Sequence, residues 1–126
     1  MNQTAHPLAR ACLIIEDSEF DQRRIARMIR YSYRDIRLEI VSTLASARTL
    51  LARDRVSLIL LDNNLPDGNG ANFAMELAGD PALGQIPVIM VSDWPSPFMW
   101  EKAQAAGVLF VVPREEFGAR YVHAGL

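Results

Sequence analysis

The chain is poor in several things, and each scarcity removes a class of explanation. It has one cysteine, Cys12, so no disulfide can form within it. It has one lysine, Lys102, and only two histidines, His6 and His123. No apolar stretch approaches the roughly 20 residues of a membrane-spanning helix, and the first ten residues carry no secretory pattern. Charge is nearly balanced, with 13 Lys+Arg against 15 Asp+Glu, so no basic surplus calls for nucleic acid and no acidic run suggests a disordered tail. No glycine-rich loop ends in Gly-Lys-Ser/Thr, which removes nucleotide enzymes of the P-loop type. Together these absences read as a soluble cytoplasmic protein whose lone thiol is a small buried apolar residue. At 126 residues and 50% hydrophobic, the chain suffices for one domain and one core.

What is present alternates between two periods. Ala11–Ile15, Leu38–Val41, Val56–Leu61, Val88–Val91 and Val108–Val112 are short apolar runs of the kind expected for strands buried on both faces. Between them, Ser18 with Asp21 three residues on opens a helix to about Arg30. Leu44, Ala47, Leu50 and Leu51 give a helical stripe ending near Arg53, and a third helix covers Ala71–Ala78. Ser96-Pro97 starts a fourth helix that runs to Ala106 before Gly107. Glu115–Val122 gives a short fifth. Five strands alternating with helices predict a single doubly wound α/β domain with parallel strands and right-handed crossovers.

Three of the runs end in groups that carry chemistry. Ile15 is followed by Glu16-Asp17, Leu61 by Asp62, and Val91 by Ser92. Open α/β sheets gather their ligands outside the carboxyl ends of the strands. Glu16, Asp17 and Asp62 should converge there, and like charges that close demand a cation. An all-oxygen site with room for water suits Mg²⁺. Asp62 could then serve as a carboxylate nucleophile toward a phosphoryl group, with Ser92 supplying a hydroxyl.

In these motifs the chain resembles the CheY-like receiver domains of two-component response regulators, over nearly its whole length. Leu13-Ile14-Ile15-Glu16-Asp17 is similar to the family's first strand and acidic pair. Leu60-Leu61-Asp62, with Pro66 and Gly70 beyond, is similar to the phosphoacceptor strand and its loop. Val88–Ser92 and Ala105-Ala106-Gly107 match the hydroxyl-bearing strand and the turn before the last strand. The resemblance implies a flavodoxin-like sheet of order 2-1-3-4-5, residues 1–126 as one receiver domain and residues 1–10 as an extension. It implies that Asp62 accepts a phosphoryl group from a histidine kinase or a histidine phosphotransfer protein and then switches binding to a downstream protein target. Asp17 would bind Mg²⁺ directly, Glu16 through water, and the backbone carbonyl of Asn64 would join Asp62 in completing the ligands. Ser92 would hydrogen-bond the phosphoryl oxygens.

One departure stands out. The family places a lysine at the end of the fifth strand, usually followed by proline, whereas here Lys102 lies in the fourth helix and Pro113 precedes Arg114. Counting from Gly107 puts Arg114 at the lysine position and Val111 at the aromatic switch position. With one deletion those places fall to Pro113 and Phe110. Arg114 is the candidate substitute, a fork rather than a compact ammonium.

Plainer readings stand beside the functional ones. Glu16-Asp17 could be a solvated strand end, Asp62 a turn former and Ser92 a hydroxyl satisfying a local turn. Arg23, Arg27, Arg30 and Arg34 form a solvated stripe or, as in receivers, a docking face for the phosphodonor. Trp94, Phe98, Met99 and Trp100 are packing residues or an exposed interaction face. His6 and His123 lie near the termini, away from the crevice. Two rival functions remain: a degenerate receiver that binds partners without phosphorylation, and an aspartate-nucleophile phosphatase. The latter wants a second aspartate where Asn64 stands.

Overall fold

The five apolar runs become the strands of one parallel sheet. The fold is a computed structural model, and it describes residues 10–93 and 95–126. The strands are β1 (Ala11–Ile15), β2 (Arg37–Val41), β3 (Leu58–Asp62), β4 (Val88–Val91) and β5 (Phe110–Val112). They pair in the order β2-β1-β3-β4-β5, every neighbour parallel, which is the order implied above. Four helices connect them, α1 (Glu19–Ser32), α2 (Leu44–Arg53), α3 (Gly70–Ala78) and α4 (Pro97–Ala105), and α5 (Ala119–Gly125) follows β5.

Side chains alternate between the two faces of a strand, and both faces are covered. Leu13, Ile15, Ile59, Leu61 and Met90 pack with Leu44, Leu50, Phe73, Leu77 and Met99 of α2, α3 and α4. Cys12, Ile14, Leu58, Leu60, Ile89 and Val91 pack on the other side with Ile25, Ile29 and Val122 of α1 and α5. Each large side chain buried this way contributes about 1.5–3 kcal/mol relative to exposure. Cys12 is buried as expected, and desolvation pushes its thiol up to about 12, so it stays protonated and inert.

Local caps match the sequence. The side chains of Ser18, Thr43, Asn69 and Ser96 each accept a backbone N–H at the start of a helix. Gly107 takes a φ of +73° just after α4, a conformation that favours glycine.

Several boundaries differ from expectation, the smallest being the second strand's start at Arg37 rather than Leu38. The third strand begins at Leu58 rather than Val56 and extends through Asp62, because Asp62 still pairs with Val91 in the ladder. The fifth begins at Phe110, since the Val108 N–H still bonds back to Ala103 in α4. The last helix is not Glu115–Val122 but Ala119–Gly125. The Pro113 carbonyl accepts from Glu116 and Phe117 N–H in an isolated turn, and Gly118 is then fully extended (φ −153°, ψ 179°). Glutamates at 115 and 116 suit a helix, but that break separates them from it. The loop after Asp62 also contains a small antiparallel hairpin, Asn64–Leu65 against Gly68–Asn69, turning at Pro66-Asp67.

Candidate functional site

Two strands deliver the acids, and the loops beside them fix where they point. At the end of β1, Glu16 is 2% exposed while Asp17 is open to solvent. The Ser18 N–H donates to Glu16 Oε2 at 3.0 Å, so the helix-capping turn also orients the carboxylate. At the end of β3, Asp62 is 3% exposed. The chain doubles back over it: Gly70 N–H donates to the Asn63 carbonyl (2.8 Å), and Ala71 N–H to Asn63 Oδ1 (3.1 Å). A Cβ on Gly70 would fall 2.2 Å from the Asp62 carbonyl oxygen, so this close approach requires glycine. Asp67, at the hairpin tip, caps α2 by accepting from Leu44 and Ala45 N–H at 2.8 and 2.9 Å, which ties the loop down. Asn64 lies on the first strand of that hairpin.

Oxygens of Glu16, Asp17 and Asp62 lie within 4.8 Å of one another. Arg114 reaches into the same crevice from beyond β5. Its Nη2 donates to Asp62 Oδ1 at 2.8 Å and lies 3.5 Å from Glu16 Oε1. Nη1 donates to Asp93 Oδ2 at 3.1 Å, and Nε lies 3.3 Å from Asp21 Oδ2. Arg24 of α1 donates to the Arg114 carbonyl at 3.1 Å. Ser92 is buried where β4 ends, its N–H donating to the Val112 carbonyl at 2.9 Å.

The electrostatics show which effect wins. Burial raises Glu16 to about 7, with the Ser18 N–H opposing, Asp62 adding and Arg114 opposing. Asp62 is likewise raised by burial, against the Arg114 charge and N–H groups of Asn64 and Asn63. One guanidinium does not neutralise this many acids. Glu16 Oε1 is buried with no hydrogen-bond partner. Hard oxygen donors with an unsatisfied lone pair and residual negative charge fit a divalent cation of the Mg²⁺ type.

Glu16, Asp17, Asp62 and Arg114 are thus brought together, with Ser92 at the end of the strand next to β3. Three participants were not singled out from the sequence: Asp21, Asp93 and Arg24. Asp21 reads there only as a capping residue. Their roles depend on where one long side chain goes. Other expectations resolve variously. Phe110 packs edge-on to Tyr121 (5.2 Å) on the α1/α5 side, whereas Val111 packs on the opposite side. Met99 is buried while Phe98 and Trp100 are exposed. His123 hydrogen-bonds the Tyr33 hydroxyl at 3.0 Å. Trp94 and His6, and all of the expected extension but Arg10, lie outside the described residues. No helix among the described residues is long and apolar enough to cross a membrane.

Comparison with known proteins decides the family. The sequence profile of the response regulator receiver domain matches residues 12–116. The chain belongs to this family. It is 30% identical over 99 residues to the response regulator Rcp1 of Synechocystis, covering 73% of this chain and 67% of Rcp1. It is 40% identical over 65 residues to the transcriptional regulatory protein DpiA of Escherichia coli K12, a match to 52% of this chain but only 29% of DpiA. Among solved structures, the phosphorylated cyanobacterial phytochrome response regulator RcpA superposes with a TM-score of 0.79 at 22% identity, covering 93% of this chain and 89% of that one. The Mn²⁺-bound form of Rcp1 gives 0.78 at 24% identity, covering 92% and 88%. At such identities the structures speak for the fold. The protein is a response regulator receiver domain of two-component signalling, a signalling rather than a classical enzyme family.

Proposed function

We propose that Asp62 is the phosphoacceptor of this receiver, that Mg²⁺ assists it, and that Arg114 stands in for the family's lysine. The observation that carries the reading is the buried Asp62 carboxylate at the carboxyl end of β3, with two further acids and one guanidinium around it. Asp62 Oδ would attack the phosphorus of a phosphohistidine on a histidine kinase or phosphotransfer protein. A P–O bond forms as the P–N bond breaks, and its electron pair passes to the ring nitrogen. The ring leaves as neutral imidazole when its other nitrogen carries a proton. Asp17, Asp62 and the Asn64 carbonyl would hold Mg²⁺, with Glu16 acting through water, and the ion would draw charge from the phosphoryl oxygens. Ser92 would hydrogen-bond one of those oxygens, and Arg114 would pair with another as a fork. The charge placed on Asp62 would then change the surface offered to a downstream protein. Residues 1–126 are taken as one such domain, working in the cytoplasm, with 1–10 as an extension.

The missing lysine, and an Arg114 already bound to Asp62, favour a second reading: a receiver that docks partners without phosphorylation. Incubation with phosphoramidate or acetyl phosphate and Mg²⁺, followed by intact-mass measurement, separates the two. Our reading expects one phosphoryl group on the native chain and none on Asp62→Asn. An adduct that persists in Asp62→Asn overturns it.

A further inference from the structure

Arg114 is gripped at both ends by one carboxylate. Its main-chain N–H donates to Asp93 Oδ1 at 2.8 Å, and its Nη1 donates to Asp93 Oδ2 at 3.1 Å. The long side chain is therefore folded into a closed ring whose start and finish share a single anchor. An arginine on a loop has many rotamers, and most would carry its head into solvent. With the main-chain nitrogen and Nη1 both fixed on Asp93, Nη2 is left on Asp62 at 2.8 Å. The other neighbours cannot do this. Asp21 lies 3.3 Å from Nε without the alignment of a hydrogen bond, and Glu16 lies 3.5 Å from Nη2.

We propose that Asp93 is the positioning residue for Arg114, the group that allows an arginine to supply the cation of the phosphoryl-transfer site. The inference rests on the phosphoacceptor reading of Asp62 for its functional consequence. Asp93 does not touch the reacting atoms and acts only through the guanidinium. It follows Ser92 directly, so the loop that carries the phosphoryl-binding hydroxyl also carries the anchor of the cation. An ammonium at this place, as in the ordinary family pattern, would need no such ring, because it acts as a point charge. The Asp93 side chain is 41% exposed, so its replacement leaves the core intact.

The test pairs a structural readout with a kinetic one. In ¹⁵N NMR of the full chain, Arg114 should give a resolved, slowly exchanging Nε–Hε signal that collapses to the solvent-averaged position in Asp93→Ala. The rate of phosphorylation by phosphoramidate with Mg²⁺ should fall about tenfold in Asp93→Ala, as expected for loss of a bond to a charged group. It should fall no further in the double change with Arg114→Ala than in Arg114→Ala alone. Asp93→Asn keeps an acceptor for the main-chain N–H but cannot hold both ends with charge, and should lie between. Melting temperatures establish that the variants are folded. An Arg114 signal unchanged in Asp93→Ala overturns the proposal, and so does an unchanged rate. Should the native chain accept no phosphoryl group, the phosphoacceptor reading fails, and the Arg114 signal alone decides whether Asp93 positions it.

Discussion

Two arginines in this domain pair with carboxylates at the same distance and come to opposite ends. Arg48 forks onto Glu76 with both contacts at 2.8 Å, its guanidinium 5.3 Å from the centre of the Phe73 ring. Arg114 meets Asp62 through one contact at 2.8 Å. By geometry Arg48 has the better bond. Yet Glu76 is held below its usual range, its hydrogen bond with Arg48 outweighing desolvation, whereas Asp62 is raised, desolvation outweighing Arg114. Glu76 is half exposed and Asp62 is 3% exposed, and that difference decides the sign. A good pair in water is nearly neutral in its consequences. A poor pair out of water leaves its acids under tension.

If that contrast is sound, cutting the two pairs should give unequal losses. Arg114→Ala leaves Asp62 and Glu16 buried without a counterion and should lower metal-free stability by about 2–3 kcal/mol at pH 8, less than for a fully buried pair because Arg114 is partly exposed. Urea denaturation measures it. Saturating Mg²⁺ should recover part of the loss, and a variant as stable as the native chain would put Arg114 on the surface.

The buried acid should also announce itself through pH. Glu16 titrates near 4.5 when unfolded and about 7 when folded. Between those values the folded state holds a proton that the unfolded state has released, so stability must fall as pH rises through that window and level off above it. The loss should be on the order of 3 kcal/mol in the metal-free protein. Glu16→Gln keeps an acceptor for the Ser18 N–H but cannot ionise, so it should flatten the profile and be the more stable form at pH 8. A native profile with no decline between pH 5 and 7 would contradict the burial argument.

The exposed pair should yield least. Arg48→Ala is expected to change stability by less than about 1 kcal/mol, mostly through lost contact with Phe73, and to leave phosphorylation untouched. A larger change in urea midpoint would mean that exposure is a poor guide to the difference between the two pairs.

Much of this site was legible in the sequence because strand burial is written plainly. Leu58–Leu61 is apolar throughout since helices cover both faces, and such a run can only end where Asp62 stands at the sheet edge. The same logic placed Glu16 and Ser92. Two kinds of feature escaped. One was the local break at Gly118, which overrides the helix preference of Glu115 and Glu116 and delays α5 to Ala119. The other was the company Arg114 keeps. Asp93 follows β4 while Asp21 and Arg24 lie on α1, and only the folded path of one flexible side chain joins them. Spacing could nominate Arg114 for the lysine position. It could not show that a carboxylate at 93 would hold the arginine there.

The most direct test of the central claim is the phosphorylation rate at saturating Mg²⁺ for the native chain, Arg114→Lys and Arg114→Ala, read by intact mass against time with phosphoramidate. The account predicts that the native chain and Arg114→Lys both take up one phosphoryl group, while Arg114→Ala slows by about tenfold or more for loss of the charge on the phosphoryl oxygens. Uptake by Arg114→Ala as fast as by the native chain would contradict it.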